Sequence, residues 1–149
     1  MTQIFVTEPD LPPLDELIPY LEDIWRRKIL TNGGKHHKDF ELSLANHLGV
    51  ENISLVSNGT LGLVIALKAL ELNAGSEVIT TPYSFVATSH ILAWNQLTPV
   101  FADIEEDSFN INPKNIEPLI NENTKAILAV HCYGNPCNTE QIKKNCRSS

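Results

Sequence analysis

Four short apolar runs, Ile53-Ser54-Leu55-Val56, Glu77-Val78-Ile79-Thr80, the segment Pro99 to Ile104, and Ala126-Ile127-Leu128-Ala129-Val130, are separated by stretches long enough to hold a helix. Strands of this kind suit a sheet buried on both faces, and spacers of this length suit a helix that carries the chain back to start the next parallel strand. The alternation predicts an α/β fold: a parallel sheet with right-handed crossover helices. Helices are predicted over Leu61 to Leu72, Phe85 to Trp94, Pro113 to Ile120, and from Thr139 to Lys144. Ligands of such sheets bind beyond the carboxyl ends of the strands. The loops to inspect are therefore Ser57-Asn58-Gly59-Thr60, Thr81-Pro82-Tyr83-Ser84, Glu105-Glu106-Asp107 and Tyr133-Gly134-Asn135-Pro136.

Ahead of the alternation stand two predicted helices, Leu14 to Lys28 with an apolar stripe at three- and four-residue spacing, and His37 to Leu48, stopped by Gly49. A loop with two glycines, Thr31-Asn32-Gly33-Gly34, joins them. The 149 residues are 42% hydrophobic, which supports a real core. A net charge of -7 with scattered basic residues excludes a nucleic-acid partner. No apolar run reaches the roughly 20 residues that span a bilayer, and Met1-Thr2-Gln3-Ile4-Phe5 lacks the basic start of a signal peptide. The odd number of cysteines, Cys132, Cys137 and Cys146, suggests reduced thiols in a cytoplasmic protein. His131 and Cys132 adjoin in a predicted strand and point to opposite faces, and no second ligand pair follows, so no metal site is assigned.

Two loops carry residues with chemical potential. In Ser57-Asn58-Gly59-Thr60, unsatisfied N–H groups at a helix start, the helix dipole and the Thr60 hydroxyl form a cradle suited to phosphate. The same residues also suit simple N-capping, with Ser57 or Asn58 satisfying the first turn. In Thr80 to Thr88, Phe85 follows a strand's carboxyl end, where an aromatic ring stacks on a flat cofactor or packs into the core. Phe85 lies near the phosphate loop if their two strands are neighbours.

Taken in order, these pieces resemble the DegT-type (DegT/DnrJ/StrS) sugar aminotransferases. The matching segments are Leu48-Gly49-Val50, Ser57 to Leu63, Glu77 to Pro82, Phe85-Val86-Ala87-Thr88, Pro99 to Ile104 and His131 to Pro136. The resemblance implies the three-layer large domain of the aspartate-aminotransferase fold, with residues 1–149 as its N-terminal part. It implies pyridoxal 5'-phosphate as cofactor, a homodimer, and a keto nucleotide-sugar substrate of the 4-keto-6-deoxy hexose class, with glutamate as amino donor. Such enzymes serve pathways like lipopolysaccharide O-antigen synthesis. Carried over by position, Asn58, Gly59 and Thr60 match the family's phosphate-binding turn and Phe85 its ring-stacking aromatic. Thr31 falls in a loop that borders the active site in the family. Gly34 replaces a frequent proline there, so that loop receives no role.

The resemblance also implies what this stretch lacks. A pyridoxal enzyme needs a lysine to hold the cofactor and move a proton, and a carboxylate against the pyridinium nitrogen. In the family both follow the present C-terminal helix. None of the lysines sits in the required context, so no catalytic residue is assigned. The expectation is a truncated fragment, inactive alone and binding the cofactor weakly or not at all; the alternative is a small non-catalytic binding module. After Lys144, Asn145-Cys146-Arg147-Ser148-Ser149 departs from the family's helix. Deleting one adenine from a coding such as AAA AAA AAT TGC AGA, followed by a serine codon that begins with T, gives AAA AAA ATT GCA GAT, which reads Lys-Lys-Ile-Ala-Asp; the hypothesis is a one-base slip or a sequencing error, against the plainer reading of a designed boundary. Resequencing across that run should find the frame shifted. The DNA downstream should encode an apolar strand ending in Asp-Ala-Ala, followed by His or Gln, then a lysine in a small-residue loop. Absence of both motifs in every frame would leave the short binding module as the better reading.

Overall fold

The computed structural model describes residues 7–146, and the readings of the first six and last three residues lie outside them. The chain divides into two compact units between Leu55 and Val56. No helix among the described residues is long and apolar enough to cross a membrane.

The first unit is a pair of helices, α1 (Leu14–Arg27) and α2 (Lys35–Leu48). Asp23 ties them together. Arg26 and Arg27 on its own helix hydrogen-bond its carboxylate, and His36 Nε2 of α2 stands 3.2 Å from Oδ2. The arginines, first through hydrogen bonds and then through charge, hold the Asp23 carboxyl down at about 2. α2 ends at Gly49, whose left-handed backbone (φ 66°) closes the helix as its sequence position predicts.

The second unit carries the sheet. Its elements are α3 (Gly59–Ala69), β1 (Glu77–Thr80), α4 (Ala87–Trp94), β2 (Thr98–Phe101), α5 (Pro113–Ile116), β3 (Thr124–Ile127) and α6 (Thr139–Asn145). The strands run parallel in the order β2-β1-β3. Successive side chains of a strand point to opposite faces, and β1 shows it. Val78 packs with Leu67 of α3 and with Ile91 and Leu92 of α4. Ile79 packs on the other face with Ala102, Ile111, Ile116 of α5 and Ile142 of α6. The result is three layers, helix, parallel sheet and helix, as expected. Pro99 lies on the edge strand β2. Thr98 and Ala102 donate backbone bonds to Ser76 and Thr80 of the β1 segment, so the alternate position, Pro99, turns its donor-less nitrogen outward.

Several elements differ from the sequence reading. Ile53 to Val56 forms no strand, because its backbone groups meet no partner strand among the described residues. Among the described residues the sheet therefore has three strands, not four. The run expected to be a strand over Ala126 to Val130 pairs earlier, over Thr124–Ile127, and its last ladder bond is from Leu128 N–H to the Ile79 carbonyl at 2.8 Å. The helix expected from Pro113 to Ile120 tightens into a 3-10 turn at Glu117–Leu119, since Pro118 has no N–H to continue the α-helical ladder. His131 and Cys132 are not in a strand: Cys132 opens a 3-10 turn, Cys132–Gly134, that carries it inside while His131 stays exposed.

That turn is clamped by Asn110, which is only 2% exposed. Its Oδ1 accepts from Cys132 N–H at 2.9 Å and its Nδ2 donates to the Asn135 carbonyl at 3.0 Å. Cys132 is buried, so losing the first bond leaves a backbone donor without water or partner. Asn110→Ala should lower stability by about 1–3 kcal/mol, the cost of an unsatisfied buried polar group. Urea unfolding checks this, and an unchanged midpoint would show that the turn is held by other means.

Candidate cofactor-binding site

Beyond the ends of β1 and β3 lies a groove of about 420 Å³. Residues 82–85 form one wall and residues 130–133 the other. This is the position that a parallel sheet reserves for ligands. Phe85 lines the groove with 76% of its surface exposed, so it is not a core aromatic.

Three rings pack together at the groove, Tyr83 from one wall, Tyr133 from the other, and Phe109 beside them. Tyr83 stacks on Phe109, with centroids 5.6 Å apart and 24° between planes. Tyr133 meets Tyr83 edge-on at 6.4 Å and does the same to Phe109. The Tyr83 and Tyr133 hydroxyls lie 3.0 Å apart. That bond, with desolvation next, raises the Tyr83 phenol above its ordinary value, so Tyr83 keeps its proton near neutrality. Tyr133 reaches this place through a left-handed backbone, φ 54° and ψ 26°, which is unfavourable for a residue with a side chain. The surrounding bonds impose it: Gly134 N–H to the His131 carbonyl, Asn135 N–H to the Cys132 carbonyl, and the Asn110 clamp.

Beneath the rim, Cys137 is buried and its Sγ lies 3.0 Å from the Val130 carbonyl. Burial first, then the neighbouring Cys132 and Glu105, push its thiol up, which leaves it inert as a nucleophile. Its backbone N–H donates to His131 Nδ1 at 3.0 Å. No cluster of metal-binding side chains exists among the described residues.

Asn58, Gly59 and Thr60 stand at the start of α3. Asn58 is the N-cap: its Oδ1 accepts from Leu61 N–H at 3.0 Å, and its carbonyl takes the first helical bond from Gly62 at 3.2 Å. The N–H groups of Gly59 and Thr60, at the first two helical positions, have no acceptor within the helix. A Cβ built on Gly59 would meet nothing beyond its chain neighbours and the backbone of its own helix, so the space beside Gly59 is open. Capping and anion binding are thus compatible, because the cap occupies a different N–H. The groove lining does not include these residues, however. Adjacent strands would have brought the two loops together, and the segment before Ser57 joins no sheet among the described residues. Thr31 and Gly34 line a separate groove of about 260 Å³ within the first unit.

Sequence reasoning missed Asn110, Phe109 and the Tyr83–Tyr133 pair. Their partners lie tens of residues away, and no local pattern announces them. One signal was available in Asn135-Pro136: a residue before proline is held extended, and Asn135 has φ -78° and ψ 120°.

Comparison with known proteins agrees with this architecture. The sequence profile of the DegT/DnrJ/EryC1/StrS aminotransferase family matches residues 14–149, a span that includes the residues after Lys144 set apart above. A dTDP-4-amino-4,6-dideoxy-D-glucose transaminase of Escherichia coli is 55% identical over 139 residues, covering 93% of this chain and 37% of the relative. PseC of Helicobacter pylori, an aminotransferase of pseudoaminic acid biosynthesis, superposes with a TM-score of 0.88 at 35% identity, over 99% of this chain and 39% of its own. NtdA of Bacillus subtilis, solved with the cofactor PMP bound, gives 0.85 at 31% identity, over 91% and 31%. The chain spans about 37% of the length of the first two curated relatives it matches. By profile, sequence and fold, the chain belongs to the DegT/DnrJ/EryC1/StrS aminotransferase family.

Proposed function

We propose that this chain is the N-terminal part of the large, cofactor-binding domain of a pyridoxal-phosphate aminotransferase acting on a keto nucleotide-sugar. A 4-keto-6-deoxy hexose is the sugar class, glutamate the amino donor, and a homodimer the working form. The observation that carries the reading is Phe85, an exposed ring facing a groove at the carboxyl ends of two parallel strands. The residues present fit the cofactor: a flat apolar face for its ring, and two uncommitted amides at an open helix start for its phosphate.

Each residue then has a role that its surroundings explain. Asn58 fixes the first turn of α3, which leaves the Gly59 and Thr60 amides directed at an anion. The Thr60 hydroxyl adds a further donor. Phe85 fixes the plane of the ring and excludes water from one face. Pyridoxal phosphate, when bound, supplies the electron sink that transfers an amino group to a keto carbon. The groove lining holds neither a lysine nor a carboxylate, so within it this chain contributes binding groups and no amine to move the proton. That favours, for the 149 residues by themselves, the second reading of a non-catalytic fragment.

A protein joining this chain to the remaining length of its relatives should show the absorbance band of lysine-bound pyridoxal phosphate, shifted by glutamate. Binding none would refute the proposal. In that protein Phe85→Ala should weaken cofactor affinity by roughly 2- to 10-fold, the worth of one aromatic stacking contact, and Phe85→Trp should retain it.

A further inference from the structure

The groove contains few side-chain donors, and most are committed. Ser84 Oγ lies 3.3 Å from the Phe85 carbonyl and donates to it. Tyr83 and Tyr133 bond each other, and a hydroxyl proton left over from that pair rotates about its C–O bond. Cys132 is buried. His131 differs from all of these. Its Nδ1 accepts the Cys137 N–H at 3.0 Å, so the neutral ring must carry its proton on Nε2. Nε2 has no partner among the described residues, and the residue is exposed in the same groove as Phe85.

The anchor is rigid. Cys137 is itself held by its Sγ bond to the Val130 carbonyl, and the backbone on the other side of His131 is held by Asn110 through Cys132. The imidazole therefore presents one N–H in a direction set by the fold. We infer that His131 is a ligand-binding residue of the groove, its Nε2–H donating to an anionic oxygen borne on the heteroaromatic ring that rests against Phe85. The ring oxygen is the natural acceptor, because the phosphate is assigned to the amides of Gly59 and Thr60, which do not line this groove. The inference rests on the groove being the pyridoxal site.

The test uses the protein that joins this chain to the remaining length of its relatives, and three probes: pyridoxamine 5'-phosphate, which has no aldehyde to react with surface lysines, pyridoxamine, and inorganic phosphate. Long-range proton–nitrogen NMR of the His131 ring should show Nε2 protonated and Nδ1 bare before any probe is added; the opposite tautomer overturns the inference. Pyridoxamine 5'-phosphate and pyridoxamine should each move the Nε2 signal together with the Phe85 ring signals. A shift of Phe85 without His131 overturns this inference and leaves the groove reading standing. A response of His131 to inorganic phosphate alone overturns the ring-oxygen assignment. No shift at either residue overturns the groove as the pyridoxal site, and this inference with it.

Two variants separate the nitrogens. His131→Asn keeps an acceptor near Nδ1 and removes the Nε2 donor, so the thermal midpoint should hold while affinity for pyridoxamine 5'-phosphate falls about tenfold. His131→Gln places an N–H near Nε2 and gives up the Nδ1 acceptor, so affinity should largely return while the midpoint drops. A purely structural role predicts the reverse pattern, and wild-type affinity in His131→Asn would overturn the inference.

Discussion

Glu77–Thr80 is flanked by parallel strands on both sides and covered by helices on both faces. A strand in that position leaves no backbone group to water and no side chain to choose its surroundings, so its direction fixes everything attached to it. Val78 and Ile79 assign α3 and α4 to one layer and α5 and α6 to the other. Thr80 extends the same control to the site, since its Oγ1 donates to the Leu128 carbonyl at 2.7 Å, near the end of β3. The two walls of the groove are therefore set by one strand: residues 82–85 continue from it, and residues 130–133 continue from the neighbour to which it is bonded.

The parts of this arrangement that the sequence disclosed are those that depend on local chemistry. Short apolar runs between helical spacers identified the parallel sheet and, with it, the loops at the carboxyl ends. Gly49, Pro113 and Asn58 marked helix ends, because capping and φ restriction act within a few residues. What failed was what depends on partners. Ile53 to Val56 has a strand's composition, yet composition cannot supply a neighbouring strand, and without one the segment stays irregular.

The site divides along the same line. Asn58, Gly59, Thr60 and Phe85 were legible as types of residue at types of position, and the structure explains how each is held. Asn110 and His131 were not. Asn110 is one of many asparagines until the turn 22 residues later places a buried N–H against it. His131 looked like a possible metal ligand because its neighbours are cysteines, and only the fold shows that the cysteine six residues on uses its backbone, not its sulfur, to hold the ring.

Pro99 has a consequence for the sheet as a whole. With its nitrogen turned outward on β2, that edge lacks one of the donors a joining strand would need. The β3 edge carries no proline. The two margins are therefore unequal templates: a strand laid beside β2 forfeits a bond in mid-ladder, while one laid beside β3 meets none of that penalty. Growth of this sheet has a preferred direction, written into the chain by a single five-membered ring.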